Sequence, residues 1–264
     1  MNNQTTKYKS GYDDNLTYFE YNLDNKSIPS IFIHGVGLDN SMWSNQKKIF
    51  NKNCIFYDLI NHGKTKKKLI KIKYEDFNLQ LKKLIKFFNL KKFNLIGFSL
   101  GSTIALNFAT RNIKNINKII ILSAIYNRSD KEKKMVLSRY KLASQGKSIS
   151  DLAIKRWFTK DYIIKKPFVY KKFFKLLENN KSENFLPAYK LFANSNKLKF
   201  DFNKFSIPTL IITGEKDINS TTEMSRKLSK KIKKSKLNII AKAKHMAVYE
   251  KANLINAKIK KFLE

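Results

Sequence analysis

The chain has 264 residues, 42 % of them hydrophobic and 13 % aromatic, which suits a packed globular protein and excludes a disordered one. Its formal charge of +34 comes from 54 Lys and Arg against 20 Asp and Glu, yet only five of those cations are arginines. The lysines are scattered over every segment, which reads as compositional drift and argues against a nucleic-acid face, where arginine is favoured; a bulk positive field would still draw an anionic substrate inward.

The chain opens on a polar stretch, residues 1–11, with no apolar core of a secretory leader. Residues 8–22 read as a short antiparallel opening with a strand at 16–19. The apolar run from Ile31 to Ile33, stopped by Gly35, looks like a strand buried on both faces of a parallel sheet. Ser41 is a candidate cap for a helix reaching to about residue 50. A second buried strand covers roughly 53–58 and holds the single cysteine, Cys54, which leaves no intramolecular disulfide and reads as a buried, inert thiol.

Phe77, Leu81, Leu84, Ile85 and Phe88 fall at helical intervals and predict a helix over 74–88. A third strand at 93–96 leads into a helix from about 100 to 111, and a fourth strand follows at 119–122. Residues from about 128 to 201 then carry helical periodicity and no convincing buried strand. The strand rhythm returns at 207–214 and 237–240, and an amphipathic helix at 248–263 ends the chain. No apolar stretch reaches the ~18 residues of a membrane span. The expected protein is cytoplasmic, with a small-molecule substrate and neither nucleic acid nor membrane as partner; its oligomeric state stays open.

Gly97-Phe98-Ser99-Leu100-Gly101 matches G-x-S-x-G. This pattern puts a serine on a sharp strand-to-helix turn, flanked by small residues where strand and helix come close. The chain holds only 8 glycines, so chance placement gives roughly 0.02 such matches. A nucleophilic serine needs a base, and an acid to orient that base. In a hydrolase built this way, the chain order is Ser, then Asp or Glu, then His. Of His34, His62 and His245, only His245 follows Ser99. Asp217 is the preferred acid, a few residues past the strand that ends at Gly214, with Glu215 as its competitor.

Acyl transfer also needs N–H donors for the oxyanion. The Leu100 amide, directly after Ser99, is one candidate. The Val36 amide, in the loop His34-Gly35-Val36-Gly37, is the other. His34 reads as a brace for that loop. The chemistry needs no metal and no organic cofactor.

These motifs, with Asp58-Leu59-Ile60-Asn61-His62-Gly63 and the trailing Glu250, resemble the α/β-hydrolase superfamily over nearly the whole chain. Met42-Trp43 and Arg156-Trp157-Phe158-Thr159 are similar to the 3-oxoadipate enol-lactonase group. The resemblance implies an α/β-hydrolase fold, a mostly parallel sheet flanked by helices. It further implies a core domain of residues 1–127 and 201–264 and a helical cap at 128–200. Trp157 and Phe158 are then candidates to line a substrate pocket, or to pack the cap on the core. Ser102 and Asn61 depart from the usual pattern, where glycine is common. The expected activity is hydrolysis of a small carboxylic ester or enol lactone. Carbon–carbon bond hydrolysis on the same three residues and a ligand-binding receptor with little turnover are the alternatives.

Overall fold

A computed structural model describes residues 8–24, 26–203 and 205–264. The N-terminal stretch read above as lacking a leader lies, for its first seven residues, outside that range. Eight strands form one sheet: β1 (Lys9–Tyr12), β2 (Tyr18–Asn22), β3 (Ser30–Ile33), β4 (Cys54–Tyr57), β5 (Phe93–Phe98), β6 (Ile116–Leu122), β7 (Thr209–Gly214) and β8 (Ser235–Ile240). Their order across the sheet is β1-β2-β4-β3-β5-β6-β7-β8. β1 pairs antiparallel with β2, and β2 with β4; every other pairing is parallel.

Helices α1 (Ser44–Lys47), α2 (Tyr74–Phe87) and α3 (Leu100–Ala109) follow β3, β4 and β5. Five more lie between β6 and β7: α4 (Asp130–Ser144), α5 (Ser150–Trp157), α6 (Lys160–Lys165), α7 (Pro167–Glu178) and α8 (Ser182–Ala193). α9 (Thr222–Lys231) follows β7, and α10 (Ala247–Glu250) and α11 (Ala252–Leu263) follow β8.

The central strands are apolar at nearly every position because both faces are covered. Side chains alternate across a strand, so Ile31, Ile33, Leu95 and Ile121 pack with Phe77, Leu81 and Ile104 of α2 and α3. Their neighbours Phe32, Ile96, Ile120 and Ile212 pack on the other face with Trp43 and with Ile255 and Ile259 of α11. Each such side chain, fully withdrawn from water, contributes about 1.5–3 kcal/mol. Cys54 is buried here, and burial pushes its thiol pKa up.

Local geometry moves some expected boundaries. The strand expected at 16–19 begins at Tyr18, because Leu16 sits at φ +60° in a turn where its amide bonds to Asp13 O at 2.9 Å. Ser41 does not cap a helix. Asp39 Oδ1 accepts the Ser41 N–H at 2.8 Å and opens a single 3₁₀ turn, Asn40–Trp43. The last helix breaks at Lys251 (φ −111°, ψ 38°) into α10 and α11.

Candidate active site

β5 lies between β3 and β6, in the middle of the sheet. Its C-terminal edge is therefore flanked by the loops after both neighbours, the place where parallel sheets bind ligands. Ser99 stands there at φ 53°, ψ −112°, a strained conformation for a non-glycine residue that functional sites retain. Its amide donates to Leu122 O at 2.9 Å, which fixes the turn to β6. Helix α3 starts at the next residue and comes so close to β3 that a Cβ on Gly101 would lie 2.6 Å from His34 O.

The loop after β3 packs directly on this turn. A methyl group on Gly35 would meet Ser99 Cβ at 3.3 Å. His34 is buried and does brace the loop: its Nδ1–H donates to Gly35 O at 2.8 Å, while Nε2 accepts the Leu59 N–H at 3.0 Å. Burial holds the His34 pKa below its ordinary value, against the pull of Asp58. Two backbone amides beside Ser99, those of Val36 and Leu100, donate no hydrogen bond among the described residues. The Leu100 amide is also at the positive end of α3.

The acid and the base come from the loops after β7 and β8. Lys216 N–H donates to Ala243 O at 2.8 Å, which brings the two loops together. His245 Nδ1 lies 2.8 Å from Asp217 Oδ2, and both side chains are almost completely buried. The second oxygen, Oδ1, accepts the amides of Asn219 and Ser220 at 2.8 and 3.0 Å. With one oxygen on backbone N–H groups, the carboxylate is held with the other toward the ring. Glu215 is exposed and accepts the Lys242 N–H at 2.8 Å, so of the two acidic candidates only Asp217 meets His245.

Ser99, His245 and Val36 line one cavity, with about 720 Å³ of empty space when its open mouth is counted. Trp157 lines it too, its ring centroid 6.4 Å from that of His245. Phe158 does not. It is 1 % exposed and packs against Phe173, Tyr162 and Tyr249, with centroids 5.1, 5.8 and 6.0 Å away. The reason is the end of α5: Phe158 is extended (φ −115°, ψ 154°), and it and Trp157 point to different surroundings.

The comparison with known proteins bears on this geometry. The model of the alpha/beta hydrolase fold family matches residues 30–252. The chain belongs to the α/β hydrolase fold family. This α/β hydrolase is 27 % identical over 250 residues to an (E)-2-((N-methylformamido)methylene)succinate hydrolase of Acinetobacter baylyi, covering 94 % of this chain and 93 % of the relative. It is 22 % identical to 3-oxoadipate enol-lactonase 2 of the same organism, covering 86 % and 85 %. Among solved structures, the enol-lactonase of Burkholderia xenovorans superposes with a TM-score of 0.83 at 18 % identity, over 97 % of this chain and 99 % of that one. That likeness concerns the fold.

Several residues at the site are not site candidates in the sequence, where Arg156 enters only within the Arg156-Trp157-Phe158-Thr159 stretch. Ser123, at φ 49° just past β6, donates its hydroxyl to His245 O at 3.1 Å. Arg128, Arg139 and Arg156 all line the cavity. Their scarcity was the available signal, since three of the chain's five arginines fall within residues 128–156.

Proposed function

We propose that the chain hydrolyses a small carboxylic ester or enol lactone, with Ser99 as nucleophile, His245 as base and Asp217 as the acid that orients it. The observation that carries this reading is the 2.8 Å contact of Asp217 Oδ2 with His245 Nδ1, beside a strained serine that lines the same cavity as the imidazole.

Asp217 accepts a hydrogen bond from Nδ1–H, which fixes the tautomer and leaves Nε2 free to act as a base. His245 takes the Ser99 proton as Oγ attacks the carbonyl carbon. The oxyanion draws on the uncommitted amides of Val36 and Leu100. Collapse of the tetrahedral species expels the alcohol or enolate, which takes the proton back from His245. Water activated by His245 then cleaves the acyl-enzyme and frees Ser99. Every step uses side chains and backbone of this chain, with no call on a metal or organic cofactor.

Residues 128–200 serve in this reading as a helical cap. Arg139, Trp157 and Tyr189 from that segment line the cavity above Ser99. A relative named as an enol-lactonase supports the reaction class, and one named as a succinate-derivative hydrolase supports hydrolysis in general.

The test is hydrolysis of short p-nitrophenyl esters and simple lactones. Activity is expected in the wild type, together with covalent labelling by a fluorophosphonate, and both are expected to vanish in Ser99→Ala. Equal turnover in that variant rejects the assignment.

A further inference from the structure

Arginine is rare in this chain, and lysine is not. The cavity reverses that ratio. Arg128, Arg139 and Arg156 line it, whereas no lysine, aspartate or glutamate does among the described residues. Drift toward lysine does not produce such a choice; a demand for planar, forked donors does.

The three come from different walls. Arg128 is in the loop after β6 and is 4 % exposed. Its Nη1 donates to Phe192 O, Ala193 O and Ser195 Oγ at 3.1, 3.3 and 3.0 Å. These bonds anchor one edge of the guanidinium, all to neutral oxygens. Arg139 is on α4 and Arg156 on α5. None of the three has a carboxylate within ion-pair distance among the described residues. The Arg156 Nε is buried and has no hydrogen-bond partner among the described residues, an arrangement that costs stability unless something binds there. Burial, reinforced by the charge of Arg139, pulls Arg156 down to about 10, and burial does the same to Arg128. Both stay cationic at neutral pH.

Three like charges around one enclosed space, with no acidic side chain among them, ask for a multiply charged anion. One carboxylate would leave two of these cations, the buried Arg128 and the half-buried Arg139 and Arg156, without a counter-charge. A compact phosphoryl group is the competing multiply charged anion, and direct binding separates the two. We infer that Arg128, Arg139 and Arg156 form a recognition site for a small dicarboxylate, so that the molecule cleaved at Ser99 carries two free carboxylates besides the scissile carbonyl. The link to Ser99 rests on the hydrolase reading; the anion site itself does not.

The experiment therefore measures binding in the Ser99→Ala protein, where turnover plays no part. Calorimetric titration at constant ionic strength compares glutarate with pentanoate, adipate with hexanoate, and inorganic phosphate. The dicarboxylates are expected to bind at least about tenfold tighter than their monocarboxylate partners. Arg139→Gln and Arg156→Gln are each expected to erase most of that preference. Arg156→Lys, which keeps the charge but loses the fork, should retain part of it. Lys134→Gln, an exposed change on α4 outside the cavity, should leave it intact. Thermal melts of each variant establish that it is folded. Equal binding of mono- and dicarboxylates, an undiminished preference in both glutamine variants, or tighter binding of phosphate than of any dicarboxylate overturns the inference. A dicarboxylate preference together with full ester turnover in Ser99→Ala would instead reject the catalytic reading and leave the anion site standing.

Discussion

The backbone amide of Met246 donates to the carbonyl of Trp157 at 2.9 Å. The residue after the candidate base is thereby tied to the end of α5. A second link joins the same regions, where Glu250 Oε2 accepts the Thr159 N–H at 3.0 Å, and Lys172 Nζ of α7 ties these helices to the turn after β3 by donating to Ser41 O at 3.1 Å. The helices between β6 and β7 thus hold the His245 loop as well as roofing the cavity.

This link separates the backbone of Trp157 from its ring. Trp157→Ala keeps the carbonyl and removes the indole that packs near His245 and lines the cavity. The variant should stay folded, with a stability loss toward the lower end of the about 3–5 kcal/mol seen for large aromatic truncations. Its kcat/KM on a good substrate should fall by about tenfold or more. Trp157→Phe should recover most of that loss. Steady-state kinetics with parallel denaturation curves check both, and an unchanged kcat/KM in Trp157→Ala would remove the ring from the site.

Asp217→Asn tests the acid. The amide can still accept the Asn219 and Ser220 amides, so the loop geometry is kept. It no longer supplies a carboxylate to His245 Nδ1, and kcat should drop by about 10³–10⁴. Glu215→Gln lies in the same loop but touches Lys242 N–H, and its activity should stay within about twofold of wild type. Comparable losses in both variants would point to loop disruption as the cause.

These two carboxylates mark how far the sequence alone was legible. The sheet was readable because buried parallel strands are apolar on both faces, as at Ile31–Ile33 and Ile119–Leu122. Ser99 was readable because strand and helix meet so tightly that glycine is demanded around it. His245 followed from chain order. Distance past the strand favours Asp217 over Glu215, but the His245 contact and the Asn219 and Ser220 amides that set it apart are reported by no spacing rule. Helix α9 escaped notice because its buried side is thin, with only Met224, Ser225 and Leu228 withdrawn from water. The arginines escaped because helical periodicity gives the face of a helix but not what that face meets. Trp157 and Phe158 show the same limit: adjacent in sequence, they serve a cavity wall and an aromatic core.

Ser102 is a departure that matters for the elbow. Its Oγ lies 2.6 Å from Gly97 O and 2.8 Å from Leu122 O, and it accepts the Leu122 N–H at 3.2 Å. One buried hydroxyl thus stitches β5 to β6 directly beneath Ser99. Ser102→Ala removes the hydroxyl from Gly97 O and from the Leu122 N–H, while Leu122 O keeps the Ser99 N–H, and should cost about 1–3 kcal/mol. The loosened turn should also lower kcat more than it raises KM. Urea denaturation and steady-state kinetics check this; a variant as stable as wild type would mean that the backbone pairs without the hydroxyl.

His62 sets a pH dependence. It is buried, its Nδ1–H donates to Ile60 O at 2.9 Å, and Nε2 has no partner among the described residues. Burial, followed by the neighbouring His34, pulls its pKa down to about 3. An unfolded histidine titrates near 6.5. Between those values the unfolded chain binds a proton that the folded chain refuses, so stability rises with pH across the window. The contribution is fully present above about pH 6.5 and is lost as pH falls toward 3, with a slope of at most about 1.4 kcal/mol per pH unit. From pH 7.5 to 5.0 the wild type should therefore lose about 2 kcal/mol through this group. His62→Gln removes the titration, whatever its own cost, and should flatten the profile by that amount. His34, depressed in the same direction, remains in both proteins and cancels in the comparison. Urea midpoints at the two pH values decide the matter, and parallel profiles for wild type and His62→Gln would show that the buried imidazole takes its proton without opening the fold.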